Sequence, residues 1–160
     1  MKTFLTMLLL GALMAVGGGT AAVAADSPDP VIGTWTLNLA KSKFTPGPAP
    51  QSGTRTYAMS GDSVSLTYSM VGADGKTVSG ASTFKYDGKD YPITGSPDYD
   101  GLALKRVNGS TINSTMKMAG KVVGSTVRSV SGHGKVLTLT SKYKNAAGKR
   151  VATTAVYDKQ

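Results

Sequence analysis

The chain has 160 residues, 20 of them glycine, and its 18 lysines and arginines outnumber its 9 acidic residues. This length corresponds to one small domain. All the acidic residues are aspartates, and the lack of glutamate, which favours helices, argues against a helical bundle. The lack of cysteine excludes disulfide frameworks, zinc ribbons and thiol nucleophiles, and the single histidine, His133, leaves little room for a catalytic triad or a metal cluster. We therefore expect no cofactor and no metal.

The first 25 residues have the pattern of a cleaved export signal. Lys2 precedes an apolar run over residues 4–16, and small residues at 22–25 supply the cleavage site. The run is shorter than the ~20 residues that span a bilayer, and no later segment approaches that length. We therefore predict an exported protein, periplasmic or extracellular, with no transmembrane segment; a retained N-terminal anchor is the alternative. Residues 26–30 are expected to form a disordered leader, and residues 31–160 a single domain.

After the leader, short alternating apolar and polar segments are separated by glycine-containing turns, as in all-β proteins. The longest connection, residues 40–53, contains three prolines and is predicted to be a loop or a lid. Antiparallel strands in sequence order form a meander, which closes into a barrel when its two edges pair. The sequence thus predicts an all-β fold, an antiparallel up-and-down barrel of about eight to ten strands. The candidate strands cover residues 31–39, 54–60, 63–71, 76–86, 91–94, 102–106, 110–118, 121–131, 135–143 and 149–158.

Turns set the register between neighbouring strands, and a shift of one residue exchanges the two faces of a strand. Turns are expected at residues 61–62, 73–75, 107–109, 119–120 and 132–134, where Gly, Asn and Asp are concentrated. Three of these turns are three-residue loops, and those at 61–62 and 119–120 have an even length. The predicted pairs are Arg55 with Tyr68, Tyr57 with Leu66, Val64 with Phe84, Leu104 with Ile112, Val127 with Leu139 and, roughly, Lys142 with Arg150.

The inner face that follows from this register mixes large apolar residues with small ones. The large residues are Trp35, Leu37, Leu66, Phe84, Leu104, Leu137 and Leu139. The small residues are Gly80, Ser82, Ser114, Ser125, Ser141 and Thr153. Barrels of this size are either filled by side chains or hold one small ligand. The small inward residues favour a ligand cavity, and a core filled by water and larger neighbours is the alternative.

Arg55 and Arg106 fall on the same inner face. A guanidinium there needs an anion, several carbonyl groups or the open mouth of the barrel, and no aspartate clearly shares this face. We therefore expect Arg55 and Arg106, with the hydroxyls of Tyr68, Tyr143 and Tyr157, to hold the anionic head of an amphipathic ligand. The alternative is that each arginine lies at a strand end and reaches solvent along its methylene stem.

The two ends of the chain resemble those of calycin barrels, the lipocalins and fatty-acid-binding proteins. The relevant stretches are VIGTWTL at residues 31–37, with Gly-x-Trp on the first strand, and AVYDK at residues 155–159. The patterns GTWTLNLAKSKFTPGPAP and YDGKDYPITG more closely resemble a group of short exported bacterial lipocalin-like proteins of unassigned activity. This resemblance covers nearly the whole mature chain. It implies a barrel that binds apolar or amphipathic small molecules, with Gly33 and Trp35 closing one barrel end.

The chain also departs from that family. Fatty-acid-binding proteins typically end in Arg-x-Tyr, where both residues contact the ligand carboxylate, but Ala155 stands in the place of the arginine while Tyr157 is retained. Their two-helix lid has no counterpart except the proline-rich loop at residues 40–53. The resemblance therefore does not imply the usual form of carboxylate binding.

A basic outer face also follows from the predicted register, because Lys105, Lys117, Arg128, Lys142 and Arg150 are expected to point outward. Such a face either provides solubility or attracts the protein to anionic phospholipid, lipopolysaccharide or acidic polysaccharide. Nucleic acid is not an expected partner, since export removes the usual target and no aromatic-rich basic platform is apparent.

No acid and base pair falls in the predicted lumen, so no catalytic residue and no enzymatic activity are predicted. The sequence predicts an exported monomeric protein that holds a small hydrophobic or amphipathic ligand. The alternative is a structural or surface-adhering envelope protein that uses its basic outer face and binds no small molecule.

Overall fold

The structure is a computed structural model and describes residues 28–131 and 133–160. The predicted export signal, residues 1–25, lies outside the described residues, as does the first part of the predicted leader. Within the described part of the chain, no helix is long and apolar enough to cross a membrane.

The described residues contain eleven strands and one short 3-10 helix at Leu39–Lys41. The strands are β1 Gly33–Leu37, β2 Lys43–Thr45, β3 Ser52–Ser60, β4 Ser63–Val71, β5 Thr77–Phe84, β6 Asp87–Pro92, β7 Gly101–Arg106, β8 Thr111–Met118, β9 Lys121–Ser131, β10 Val136–Lys144 and β11 Arg150–Lys159.

The strands form one antiparallel sheet in the order β5-β4-β3-β1-β11-β10-β9-β8-β7-β6, with the short β2 added beside β11. Strands β3 to β5 and strands β6 to β11 are therefore neighbours in chain order, and β1 joins the two runs by pairing with β3 and β11. The sheet curls until β5 meets the end of β6, where Ser82 and Ile93 form a bridge. At the same seam Thr94 N donates to Ala81 O at 2.9 Å. The sheet is a nearly closed up-and-down barrel, and the predicted fold class is confirmed.

Two glycines allow the barrel to close at this seam. A Cβ atom on Gly80 would overlap the carbonyl oxygen of Thr94, and one on Gly95 would overlap the carbonyl oxygen of Ser79. Gly95 also has a φ of 83°, which L side chains rarely adopt. Gly80 was predicted to leave space in the lumen, but the backbone of the facing segment occupies that space.

Two segments differ from the predicted elements by more than their ends. The proline-rich segment at residues 40–53 is not entirely a loop, because its Lys43–Thr45 strand pairs with β11 through Phe44 and Thr153. The predicted strand at 91–94 overlaps β6 in only its first two residues, since β6 begins at Asp87 and ends at Pro92. In both places glycine and proline obscure the alternating pattern on which strand prediction depends.

The register of the first half of the barrel agrees with the prediction. Arg55 pairs with Tyr68 and Tyr57 with Leu66, and Val64 pairs with Phe84. The turn between β7 and β8 is longer than predicted, so Arg106 pairs with Ile112 and Leu104 with Ser114. The predicted pairing of Leu104 with Ile112 is therefore wrong, but the shift is even and both residues stay on the inner face.

The two faces of β9 are exchanged relative to the prediction. The loop between β9 and β10 has one more residue than predicted, so Leu139 pairs with Arg128 instead of Val127. Arg128 is consequently 4% exposed and Val127 is 42% exposed. Ser125 is also exposed. The predictions that Arg128 points outward and that Val127 and Ser125 point inward are wrong.

The turn between β8 and β9 explains how this exchange fits the barrel. It has the predicted two residues, and Ala119 adopts a left-handed φ of 49° there. A bulge in the β8–β9 pairing after Met116 then adds one residue to β9, which reverses the inward and outward alternation. Between β10 and β11, Lys144 rather than Lys142 pairs with Arg150, which corrects another predicted pair.

The core of the barrel contains the large apolar residues that were predicted to point inward. Of the small polar residues, Ser82, Ser114 and Ser141 are buried with them. The buried apolar residues include Trp35, Leu37, Leu66, Phe84, Leu104, Leu137 and Leu139.

Candidate functional site

One end of the barrel, which we call the Trp35 end, is closed by side chains. Trp35 is fully buried, its Nε1 donates to the carbonyl oxygen of Val31 at 2.7 Å, and Lys159 Nζ lies 5.1 Å from the centre of its ring. Gly33 has a φ of 134°, which explains a glycine there. The structure thus places Gly33 and Trp35 together at one barrel end.

Asp29 connects the N-terminal segment to the Trp35 end. Its carboxylate accepts hydrogen bonds from Arg106 Nη2 at 2.8 Å and from the Val31 amide at 3.0 Å. Burial alone raises the pKa of Asp29, but hydrogen bonds from Val31, Tyr86 and Arg106 and the charge of Arg128 outweigh that effect and lower the pKa below its ordinary value. Asp29, which was expected in a disordered leader, is therefore a fixed anion at this end.

Arg106 does not join the predicted ligand group. Its guanidinium is paired with Asp29 and lies 4.4 Å from the ring centre of Tyr86. Arg106 lines neither of the two cavities found in the lumen. The expectation that no aspartate shares its face is wrong, because Asp29 reaches it from 77 residues away in the sequence.

Arg128 is the second buried guanidinium of the lumen, and the sequence analysis placed it outside. Arg128 Nη2 donates to Tyr86 Oη at 2.6 Å, and its Cζ lies 5.2 Å from the ring centre of Tyr57. Burial raises the pKa of Tyr86 to about 12, despite the opposing charge of Arg128. Arg128 forms no ion pair with a carboxylate of the described residues.

Arg55 lies near the middle of the lumen and is bounded by tyrosines. Its Nε donates to Tyr57 Oη at 3.2 Å, and its Cζ lies 5.3 Å from the ring centre of Tyr68 and 5.9 Å from that of Tyr157. Within the described part of the chain it pairs with no carboxylate.

The guanidinium of Arg55 lies beside open space in the lumen. The hydroxyl of Tyr157 interacts with the guanidinium in addition to that of Tyr57, and every fully buried side-chain nitrogen and oxygen among the described residues has a partner. The guanidinium therefore borders the cavity, where it can bind an acceptor. A guanidinium offers such an acceptor a planar, two-pronged donor that matches a carboxylate, sulfonate or phosphate.

Two cavities meet at Arg55. The inner chamber has a volume of about 70 Å³ and is lined by both Arg55 and Arg128. The mouth cavity has a volume of about 300 Å³ and extends from Arg55 to the opposite end of the barrel, which we call the mouth. Tyr99, Met116, Leu139 and Ser141 line both cavities. At the mouth the lining includes the apolar side chains of Phe44, Pro50, Met70 and Val78 and also the carboxylate of Asp98.

Four of the five predicted ligand residues come together at the mouth cavity, namely Arg55, Tyr68, Tyr143 and Tyr157. The hydroxyl of Tyr68 donates to the carbonyl oxygen of Thr94 at 2.8 Å, so it also holds the seam of the barrel. Burial, and then the nearby Asp98 carboxylate, raise the pKa of Tyr143 to about 12. Tyr143 is therefore neutral at physiological pH and can act only as a neutral donor or acceptor.

Tyr99 and Arg128 are site residues that the sequence analysis missed. Tyr99 packs edge-on against Tyr143, with 6.1 Å between ring centres, and burial raises the pKa of its hydroxyl. It lies between β6 and β7, where alternation gives no signal. For Arg128 a signal existed, since the pair Val122-Val123 breaks the alternation of β9 and marks the bulge that turns Arg128 inward.

The lumen combines positive charge with neutral hydroxyls and apolar side chains. Within residues 28–131 and 133–160, no group of three or more His, Cys and Asp side chains could hold a metal ion. The lumen instead presents the cations Arg55 and Arg128, several neutral hydroxyls and an apolar path to the mouth.

Comparisons with known proteins concern the fold. The sequence matches no protein-family model and no curated protein. The zebrafish ileal bile acid-binding protein, solved in complex with cholic acid, is similar in structure at 13% identity, with 82% of this chain and 99% of that chain covered and a TM-score of 0.48. The siderocalin Ex-FABP, described as having dual ligand specificities, is similar at 8% identity over 82% of this chain and 74% of that chain, with a TM-score of 0.39.

Proposed function

We propose that the protein is an exported, non-enzymatic binding protein that holds a small amphipathic anion in its barrel. The acid group lies at Arg55 and the apolar part extends toward the mouth. The observation that carries the proposal is the state of Arg55, a guanidinium in the middle of the lumen that faces a cavity and has no carboxylate partner among the described residues.

The electrostatics of the lumen favour an anion. A guanidinium does not lose its proton at physiological pH, and an unpaired charge inside a protein is costly. Arg128 adds a second positive charge across the inner chamber, Asp29 is already bonded to Arg106, and Asp98 at the mouth cavity accepts a hydrogen bond from the Ala146 amide and forms no ion pair with Arg55. An incoming acid group therefore gains charge-assisted hydrogen bonds from Arg55 and relieves the excess positive charge of the lumen.

The shape of the lumen favours an amphipathic molecule with its head inward. Phe44, Met70 and Val78 line the mouth cavity on the side away from Arg55. An alkyl or ring system there would be removed from water by these side chains, which stabilises the complex by ~25 cal/mol per Å² of apolar surface. The small inner chamber leaves room for polar atoms or water beyond the head group.

The location of the protein is part of the proposal, and it rests on Lys2, the apolar run at 4–16 and the small residues at 22–25. N-terminal sequencing of the protein from its own host should find Ala25 or Asp26 as the first residue of an exported chain. A chain that retains Met1 or Lys2 and stays in the cytoplasm would contradict export and leave the lumen argument untouched.

The binding proposal is tested with a matched pair of ligands, decanoate and decanol, each titrated against a fluorescent probe in the lumen at pH 8. We expect decanoate to bind at least about 10-fold more tightly than decanol, a difference of ~1.4 kcal/mol. Arg55→Met should remove this preference and leave decanol affinity unchanged, while Arg106→Met should retain it. Equal affinities in the native protein, or an unchanged preference in Arg55→Met, would overturn the proposal.

A further inference from the structure

A third cavity lies on the outside of the barrel, near the mouth. It is a groove of about 540 Å³, which we call the basic groove. Its apolar part comprises Val122, Val123, Val151 and Ala152, and its charged part comprises Lys142, Lys144 and Arg150. Val122 is 66% exposed and is the most exposed of the large apolar side chains in the described residues. A groove that combines an exposed valine with several cations can bind a partner that is both apolar and anionic.

The cations of the basic groove have no acidic partners among the described residues. The ion pairs of the structure use other cations, for example Lys41 with Asp158 and Lys117 with Asp90. Lys144 and Arg150 are directly opposite each other on β10 and β11, an arrangement that is unfavourable by itself because like charges repel across strands. The excess positive charge of the protein is thus concentrated where no internal anion offsets it.

The same part of the surface carries further cations. Lys43 lies on β2, which flanks β11, Lys121 begins β9 beside Val122, and Lys149 precedes Arg150 in the sequence. These three side chains are exposed, and none of them forms an ion pair within the described part of the chain. The groove and its borders therefore form a continuous basic face that surrounds an apolar strip.

We propose that the basic groove docks the protein on an anionic phospholipid bilayer, with the mouth of the barrel beside the membrane. Cations near such a surface are attracted to the anionic head groups, and the exposed valines can enter the boundary between head groups and acyl chains. Tyr143 lines both the groove and the mouth cavity, so a docked barrel would present its lumen to the lipid. The groove lies outside the lumen, and this proposal does not depend on which ligand the lumen binds.

A bilayer fits the groove better than an acidic polysaccharide does. A polysaccharide would satisfy Lys142, Lys144 and Arg150 but would leave Val122 exposed to water. The apolar strip therefore distinguishes the two partners, and a change at Val122 separates them experimentally.

The test measures binding of the protein, as processed by its own host, to phosphatidylcholine vesicles with and without 30% phosphatidylglycerol, an anionic fraction of about one lipid in three. We expect binding only to the anionic vesicles and a steep loss of binding as salt is raised. The double variant Lys144→Gln/Arg150→Gln should bind at least about 10-fold more weakly. The double variant Lys105→Gln/Lys135→Gln removes the same charge from exposed positions elsewhere and should bind nearly as well as the native protein.

The apolar contribution is tested by Val122→Ser, with Val127→Ser as the matched control on the outer face of the same strand. We expect Val122→Ser to weaken vesicle binding several-fold and Val127→Ser to leave it unchanged.

Three outcomes would overturn the proposal. Equal losses of vesicle binding in the two double charge variants would show attraction to net charge alone. Stronger binding to polygalacturonate than to anionic vesicles, with no effect of Val122→Ser, would also overturn it. Binding that is equal on neutral vesicles would point to a retained anchor and likewise contradict docking through the groove.

Discussion

The two ends of the barrel treat positive charge differently. At the Trp35 end, Arg106 is paired with a buried carboxylate, Asp29, and the space is filled by Trp35. Toward the mouth, Arg55 is bounded by tyrosines, pairs with no carboxylate of the described residues and borders a cavity of about 300 Å³. Both arginines lie on the inner side of strands, so the strand pattern alone does not distinguish them.

The difference separates a structural arginine from one that is available to a ligand. An ion pair between the largely buried Asp29 carboxylate and the partly exposed Arg106 holds the N-terminal segment against the barrel, and breaking it leaves the carboxylate without its cation. Arg55 already lacks its compensating charge, and this is an arrangement that a purely structural core would avoid. Substitutions at the Trp35 end should therefore affect stability, whereas those toward the mouth should affect binding.

The largest effect is expected for Trp35→Ala. Trp35 is fully buried, and removing such a side chain costs about 4 kcal/mol because contacts are lost and a cavity remains. Phe44→Ala at the mouth, where the side chain is half-buried, should cost much less stability but weaken decanoate binding. Urea unfolding and probe displacement on both variants measure these effects. A loss of binding without a loss of stability in Trp35→Ala would contradict the assigned role of this end.

A smaller effect is expected for Asp29→Asn. The substitution leaves Arg106 without its anion, and we expect the free energy of unfolding at pH 7 to fall by ~2 kcal/mol. Asp62→Asn is the matched control, since Asp62 forms an exposed ion pair with Lys85 and its loss should have little effect. An equal response of the two variants in urea unfolding would remove Asp29 from the structural network.

The pH dependence of Asp29 has a definite sign. Its pKa in the folded protein is below the value of 3.8 for an unperturbed Asp, so the unfolded chain takes up a proton more readily. The stabilisation is therefore complete above the unfolded pKa and is lost as pH falls through the folded pKa. The difference in stability between native protein and Asp29→Asn should shrink below about pH 4. A difference that stays constant down to pH 2 would contradict this account.

The smallest expected effect is at high pH and concerns both ends equally. The pKa of Tyr86 at the Trp35 end and that of Tyr143 at the mouth are each raised by burial to about 12. Because these values exceed the ordinary value of 10.0, the stabilisation is present below pH 10 and is lost as pH rises toward 12. The free energy of unfolding of Tyr143→Phe should therefore fall less steeply with pH over this range than that of the native protein. Phenolate absorbance follows the ionisation of the tyrosines. The two ends thus differ in how their arginines are paired and not in how their tyrosines are buried.

The barrel was predictable because its turns and alternation agree. Gly61-Asp62 and Ala73-Asp74-Gly75 determine the register of β3, β4 and β5 through local chemistry. Arg55 was placed inside for this reason, with Tyr68 opposite to it and, by the corresponding argument on β11, Tyr157 inward. Local turn chemistry was therefore sufficient for half of the barrel and for the central residue of the site.

The other half was less predictable because two irregularities on β9 act together. Lys135 extends the β9–β10 loop, where Lys135 N donates to Ser131 O at 3.1 Å, and the bulge after Met116 reverses the alternation. Polarity also misleads here, since it favours Val127 inside and Arg128 outside. Arg128 is inward because Tyr57 and Tyr86, from distant strands, surround its guanidinium. Such contacts have no signal in the local sequence.

The pairing of Arg106 was missed for a similar reason. Asp29 lies in a proline-rich stretch with no strand pattern, and its contacts form only after the barrel is assembled. A sequence pattern identifies which residues share a face of a strand. It does not identify a residue outside the strands that comes to cover the end of that face.

The comparison between Arg55 and Arg106 is tested most directly by urea unfolding of Arg55→Met and Arg106→Met, each with and without saturating decanoate. Without ligand, Arg106→Met should be less stable than the native protein by ~2 kcal/mol, because Asp29 is left buried and unpaired, while Arg55→Met should be at least as stable as the native protein. Decanoate should stabilise the native protein and Arg106→Met equally, through linkage, and should stabilise Arg55→Met much less. The contradicting result is that Arg55→Met loses as much stability as Arg106→Met and gains as much stability from decanoate as the native protein. Arg55 would then be a structural residue, and the lumen would not bind anions through it.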